Sequence, residues 1–433
     1  MPAMRRMTDM RDYENFWDRN AGRYDRFMRK DRAAYEEMYE LIRPVVKAKT
    51  VLELATGTGL IAKHIVNAAA HIEATDASAE MITEAKRDNR SAKLHFSVQD
   101  MFRLPYAEES FDVVIVSKPA GALMMAGPQV LASAMKKDVK AEELGGADVA
   151  VKTGAAHFAC ESEADAMAKA KAVLGMLPAN NLEDAPFSVE EDMNRRLEGF
   201  EAGCDGAELI AALADTGSVL EFGKGHTHAV TALGKMAGRT VAFIYTGKGD
   251  TCDNRMKKIA RFVRFADCYN IPVVSLLNTC GVEVNGVKEQ GWLFKAQSQL
   301  LYAYAEATTA KLAVVTGDAI GQAYVAMGGK ANADVTYAWP GAVISALTPE
   351  AAVAVLYVGD VKADKALSVE DARAKYAGKY VEEVAGAVNA AKAGMVDDII
   401  DPAKTRAMLI SAMEMLASKR DSNPPKKHGN LPM

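Results

Sequence analysis

The stretch TVLELATGTGLIAKHI, residues 50–65, constrains this chain more than any other. Val51, Leu52 and Leu54 suit a buried parallel strand. Gly57 and Gly59 then make a tight turn, and Ile61 to Val66 starts a helix. A strand that passes through a glycine turn into a helix points to an α/β layer. Such a turn lets a ligand approach the main chain closely, and the free N–H groups of the helix start favour negative charge there. The next strand, HIEATD, ends in Asp76, where a carboxylate can accept both ribose hydroxyls of an adenosine ligand. A third strand, KLHFSVQD, ends in Asp100, and a fourth, FDVVIVS, spans residues 111–117. The pattern predicts four strands of a doubly wound sheet with ligand at the strand ends. Upstream, residues 33–46 are helical in pattern, with Met38, Leu41, Ile42 and Val45 on one face. Asp76 also reads as a helix N-cap within DASAEM, and both readings of that residue stand.

GTGLIA fits the loose G-x-G-x-x-A dinucleotide pattern, so NAD is one candidate ligand. The surrounding residues are more specific. Glu53 to Gly59 resembles the first motif of class I S-adenosylmethionine-dependent methyltransferases, with an acid four residues before the first glycine. Asp76 matches their ribose-binding acid, and Asp100-Met101 resembles the pair flanking the adenine. WDRNAGRYDRF, near the start, resembles the lid helix of small-molecule and quinone-type members. The resemblance implies that Glu53, Gly57, Gly59, Asp76, Asp100 and Met101 hold S-adenosylmethionine. It stops after FDVVIVS, where KPAGALMMAGPQVLASAM does not continue the pattern. Residues 1–118 are therefore expected to form a partial Rossmann-like sheet, and a half sheet leaves an exposed edge strand.

At 433 residues the chain is too long for one ordinary core. Its net charge of −5 gives no electrostatic case for nucleic acid or an acidic membrane, and no apolar run is long enough to span a bilayer. The five cysteines form no C-x-x-C pair and read as free thiols of a reducing cytoplasm. The N-terminus has no apolar stretch behind its arginines, so no secretory signal is expected. His226-Thr227-His228 has no carboxylate or cysteine at ligand spacing, so no metal site is expected.

From about Gly121 onward alanine and glycine become frequent, and short apolar strands alternate with helices. Strands are expected over 241–247, 271–278, 311–318 and 335–340. RMKKIARFVRFADCYN places Met256, Ile259, Val263 and Ala266 on one helical face, and AQSQLLYAYAEATTA forms another helix. The last helix is expected to begin with Asp401 as N-cap and Pro402 in its first turn. This text resembles the carboxyltransferase subunits of acyl-CoA carboxylases and related decarboxylases, through EELGGADVAVKTGAAHF, GRTVAFI, ARFVRFADCYNIPVV, LLYAYAEATTAKLAVVTG, AYVAMGG, TYAWPGA and VDDIIDPAKTRAMLISAMEMLASKR.

That resemblance implies a crotonase-type ββα superhelix. It also implies transfer of a carboxyl group between carboxybiotin, borne on a carrier protein, and an acyl-CoA. Main-chain amides of Gly321, Gln322 and Ala323 would hold the ureido oxygen, with Gly281 keeping a neighbouring turn. No metal is implied at this subunit. Partners would be the biotin carrier protein and biotin carboxylase or decarboxylase subunits, in a homo-oligomer. Two departures stand out: Gln322 replaces a second glycine, and Asn278-Thr279-Cys280-Gly281-Val282 replaces an Asp-x-Pro-Gly-Phe loop. Residues 119–185 read as a remnant of the first, CoA-binding half without its glycine-pair loop, and residues 186–433 as the biotin-side half. Other readings are methyl transfer to a small molecule, and a non-catalytic assembly subunit that docks a biotin carrier.

Overall fold

The computed structural model describes residues 32–425 and Gly429, apart from 55, 77, 88, 100–112, 119–120, 137, 180–182, 189–190 and 284–288. The chain divides into two units. One comprises residues 1–112, 116–149 and 161–163, and the other comprises 113–115, 150–160 and 164–433.

In the first unit the elements run α1 (Arg32–Val45), β1 (Thr50–Leu54), α2 (Leu60–Ile65), β2 (His71–Asp76), α3 (Ala79–Arg87) and β3 (Leu94–Val98). The three strands form one parallel sheet in the order β1-β2-β3, with Val51 opposite Ile72 and Ala74 opposite Phe96. Ala62 and Ile65 from α2, and Ile82 and Ala85 from α3, close over Ile72, Ala74, Leu94 and Phe96. Met38 and Ile42 of α1 pack against the same core, as their spacing predicts. Burying a side chain of this size stabilises by about 1.5–3 kcal/mol, so these contacts hold the layer together. Among the described residues the sheet has three strands rather than the four expected, and residues 111–112 of the expected fourth lie outside those residues. The short strands β4 (Ile115–Ser117) and β5 (Phe158–Cys160) lie outside this sheet. Val113 to Ile115 belong to the second unit, where Val114 O accepts from His157 N–H at 2.9 Å. An apolar run of this length carries no record of which sheet it will join.

The second unit is built on an eight-stranded sheet. Its strands are β6 (Leu220–Phe222), β7 (Val230–Met236), β8 (Arg239–Tyr245), β9 (Val273–Thr279), β10 (Lys311–Ile320), β11 (Val335–Ala338), β12 (Val343–Ser345) and β13 (Asp398–Ile399). The order is β13-β11-β10-β9-β8-β7-β6, with β12 paired to the end of β10. β6 to β8 form an antiparallel meander, and β8 to β11 are parallel. Both faces are covered, which is why the strands read as nearly continuous apolar runs. On one face Ala242, Ile244, Val273, Leu277, Ala313 and Val315 meet helices α5 (Asp253–Cys268) and α6 (Phe294–Glu306). On the other, Val241, Phe243, Val274, Leu276 and Val314 meet α4 (Gly206–Leu213) and α8 (Thr405–Leu416). Between α6 and α8 lies the short helix α7 (Gly321–Ala326).

In the second unit the expected strands and helices form, with ends moved by a few residues. Asp401 does cap, accepting from Ala403 N–H at 3.0 Å, but the turn it caps is 3₁₀ (Pro402–Lys404) and α8 follows. A buried Arg406 fastens α8 to the end of α4 on the same face: its guanidinium reaches Leu213 O and the Asp215 carboxylate (2.6 Å). Among the described residues, no helix is long and apolar enough to cross a membrane.

Candidate functional site

The first unit places its glycine turn at the carboxyl ends of β1 and β2. Gly57 and Gly59 adopt φ of 58° and 73°, a left-handed region that glycine enters at no steric cost. Gly59 is also held by space, since a Cβ there would lie 2.4 Å from the Phe96 ring. Asp76 accepts Gly57 N–H on Oδ2 (2.8 Å) and Ser78 N–H on Oδ1 (2.9 Å). The cap of α3 falls instead to Ser78, whose Oγ accepts from Met81 N–H at 3.1 Å. Each Asp76 oxygen keeps a second lone pair, and the residue is half-buried, so it can still accept a hydroxyl.

Glu53 accepts from Thr56 Oγ1 on Oε1 at 2.8 Å. Burial pushes its carboxyl up to about 7, with Thr56 and the nearby Ala62 N–H pulling weakly the other way. Its Oε2 is buried and lacks a hydrogen bond of ordinary geometry among the described residues. An orphaned buried oxygen beside a glycine turn fits a ligand donor such as an ammonium. Asp100, Met101 and the WDRNAGRYDRF segment lie outside the described residues. Four of the six residues assigned to this site are thus brought together at one sheet end.

In the second unit the Gly281 turn and the Gly321 bend come together. Thr279 of β9 pairs with Ala319 of β10, so both glycines sit two residues beyond a paired position on neighbouring parallel strands. On the other side β12 flanks the bend, with Ile320 opposite Ser345. Ligands of α/β sheets bind at such carboxyl ends. Gly321 has φ of 60°, and Gly281 has φ of 122° with no atom of the described residues within 4 Å of where a Cβ would stand. Gly281 O accepts from Thr251 N–H at 2.9 Å, which ties the turn to the start of α5.

α7 begins at Gly321, and among the described residues no side chain caps it. Outside the sheet ladders, and among the described residues, none of the N–H groups of Gly321, Gln322 and Ala323 has a hydrogen-bond partner. These are the amides that a helix leaves unsatisfied at its start. Gln322 is exposed, Gly321 half-buried and Ala323 fully buried. The Gln322 side chain is engaged with α6, its Oε1 accepting from Gln297 Nε2 at 3.1 Å. Cys280, next to Gly281, donates through Sγ to Asp318 Oδ2 at 3.3 Å. Burial and then the Asp318 carboxylate push its thiol up, so it is a poor nucleophile.

Two histidines elsewhere make structural contacts. His157 Nδ1 accepts Val114 N–H at 3.0 Å, and burial, with Arg261 and Lys258 nearby, pushes its ring down to about 3. It is a neutral acceptor at physiological pH. His226 Nδ1 lies 2.9 Å from Lys152 O. Among the described residues, no three His, Cys, Asp or Glu side chains gather as a metal site. The sequence reading missed the polar network beneath the second bend. Asn278 is 1 % exposed and joins Tyr245 to β10, while Gln297 meets Gln322. Only the unusual residues in the Gly281 loop signalled it.

Comparison with known proteins bears on both units. Residues 51–137 match a methyltransferase domain model, and residues 106–431 match the model described as carboxyl transferase domain. The chain is 36% identical over 344 residues to methylmalonyl-CoA decarboxylase subunit alpha of Veillonella parvula, covering 76% of this chain and 66% of that protein. It is 37% identical over 346 residues to the methylmalonyl-CoA carboxyltransferase 12S subunit of Propionibacterium freudenreichii subsp. shermanii, covering 76% and 65%. The match thus spans slightly less than two thirds of the length of these relatives. A crystal structure of transcarboxylase 12S with methylmalonyl-coenzyme A and methylmalonic acid bound superposes with a TM-score of 0.69 at 32% identity. It covers 84% of this chain and 68% of that one. With three quarters of its length in one family model and an α/β superhelix shared with transcarboxylase 12S, the chain belongs to the carboxyl transferase domain family.

Proposed function

We propose that this chain is a biotin-dependent carboxyltransferase subunit that moves a carboxyl group between carboxybiotin and an acyl-CoA. With carboxybiotin as donor the N–CO₂ bond breaks, the electron pair stays on the ureido group as charge on its oxygen, CO₂ passes to the α-carbon of the acyl-CoA (or to solvent when none is bound), and the ureido group takes up the proton that this carbon, or water, gives up. Amides that already point at that oxygen stabilise the charge without reorganising. The free N–H groups at Gly321, Gln322 and Ala323 carry this reading, because α7 starts where β9 and β10 end. Removing one such donor typically costs about 3 kcal/mol of barrier, roughly a hundredfold in rate. Gly281 leaves open space beside the bend, which supports a substrate group entering there.

The working division assigns this biotin-side chemistry to residues 186–433, the remnant of the CoA-binding half to 119–185 and the methyltransferase-like part to 1–118. The implied partners are a biotin carrier protein, a biotin carboxylase or decarboxylase subunit, and further copies of this chain. A cytoplasmic setting is supported by the absence of disulfides among its cysteines. The test is decarboxylation of free carboxybiotin by the full chain without acyl-CoA. Turnover supports the reading, and absence of turnover overturns it.

A second reading belongs to the first unit: binding of S-adenosylmethionine, the group that supplies an electrophilic methyl when bound. Glu53, Gly57, Gly59 and Asp76 would hold it, with Asp76 facing the ribose. The buried orphan Oε2 of Glu53 favours it. Titration calorimetry with S-adenosylmethionine tests it, with binding expected for the chain as it stands and lost in Asp76→Ala.

A further inference from the structure

We propose that Asn278 is a positioning residue: its side chain fixes an irregularity in β10 that decides where the Gly321 bend lies. The pairing of β9 and β10 is regular from Lys311 opposite Val273 to Val315 opposite Leu277. It resumes at Ala319 opposite Thr279. Between these points β10 spends Thr316, Gly317 and Asp318 against Asn278 alone. Such a bulge re-aims a strand end and would be free to slip unless something filled it.

Asn278 fills it. Its Oδ1 accepts Asp318 N–H at 3.2 Å, and its Nδ2 donates to Tyr245 Oη at 2.8 Å. Its own N–H leaves the ladder and donates to Thr246 Oγ1 at 2.8 Å. The amide lies so close to β10 that a Cβ on Gly317 would stand 2.6 Å from Oδ1, which explains glycine there. The outer end of the network is equally satisfied. Tyr245 Oη donates to Cys204 O at 3.2 Å, and Gly203 N–H donates to the bulge carbonyl Thr316 O at 2.9 Å. Loss of the Asn278 amide leaves Asp318 N–H and the buried Tyr245 phenol without these partners, so the bulge has one low-energy arrangement while Asn278 is in place. Asn, unlike Asp, supplies both an acceptor for Asp318 N–H and a donor for the phenol. Regular pairing resumes at Ala319, two residues before Gly321, so the geometry of the bulge sets the direction of the amides at the start of α7.

The catalytic consequence rests on the carboxyltransferase reading, whereas the positional claim does not. Two readouts keep them apart. Hydrogen exchange on the full chain, comparing Asn278→Ala with the unmodified protein, reports position: amides of 318–320 are expected to exchange at least tenfold faster while β2 and β3 are unchanged. Unchanged exchange at 318–320 overturns the proposal. Decarboxylation of free carboxybiotin reports consequence: Asn278→Ala is expected to lower kcat at least tenfold with KM within about twofold. Tyr245→Phe, which keeps the Asn278–Asp318 bond, is expected to stay within about threefold in kcat. Equal losses in the two variants, or a loss confined to KM, overturn it. If the unmodified chain does not turn over carboxybiotin, the functional reading fails while the exchange arm still decides whether Asn278 holds the bulge.

Discussion

The two units each contain a strand that runs through a left-handed glycine into a helix, yet the two turns differ in what they leave open. At Gly57–Gly59 the turn is stitched from nearby sequence. Gly57 N–H goes to Asp76, Gly59 N–H to Thr56 O at 2.9 Å, and Thr56 N–H to Thr75 O at 2.9 Å. At Gly321, among the described residues, no side chain or loop carbonyl takes the amides of 321–323, and the bend is held from outside by β12 and by β9 with its Asn278. The contrast teaches that a glycine turn before a helix is not yet an anion site. What matters is whether its N–H groups are already used.

Four experiments strain this contrast. The largest effect is expected at Gly59→Ala, where a left-handed conformation unfavourable to alanine combines with a Cβ 2.4 Å from Phe96. Strain and overpacking together should destabilise the first unit by about 3–4 kcal/mol. Thermal unfolding measures it, and a change under 1 kcal/mol would show that the first turn is not packed as described. Next is Glu53. Its carboxyl sits near 7 when folded against 4.5 as the ordinary value, so its protonated form is favoured by folding. Stability is then full at low pH and falls as pH rises from the ordinary value through the folded one, by about 3 kcal/mol in all. Glu53→Gln should remove that fall and unfold at a higher temperature than the parent at pH 8. Equal pH profiles for the two proteins would break the assignment.

Gly321→Ala comes third. Its φ of 60° strains alanine by roughly 1–2 kcal/mol, and the added Cβ meets Ala346 O at 3.2 Å. Displacement of the bend should slow carboxybiotin decarboxylation about tenfold. An unaltered rate would mean that the free amides do not act. Gln322→Gly is the mildest. Because Gln297 already draws the Gln322 side chain onto α6, removing it should change KM by no more than about threefold. A tenfold change would place that side chain in the pocket instead.

Periodicity made most of the second unit readable. Alternating residues such as Val241, Phe243, Ala242 and Ile244 divide between the two faces of one sheet, and the helices show their apolar stripes. The first unit was readable up to β3 for the same reason. What failed was the assignment of 111–117, because an apolar run states its own extension and not its neighbour. At the candidate sites, Gly57, Gly59, Gly281 and Gly321 were identifiable as turn glycines. The roles of Asn278, Tyr245 and Gln297 were not, because each depends on a partner at least 25 residues away.

The sequence alone determined an α/β chain with two glycine-marked strand ends and long matches to a carboxyltransferase, because local periods and turn residues act over a few positions. Only the tertiary structure decided that β10 carries extra residues opposite Asn278 and, among the described residues, that Glu53 keeps a buried oxygen without a hydrogen bond of ordinary geometry and that the amides at Gly321 are left open outside the sheet ladders. Those features depend on burial and on hydrogen bonds between distant segments. Neither exists until the chain has closed its core.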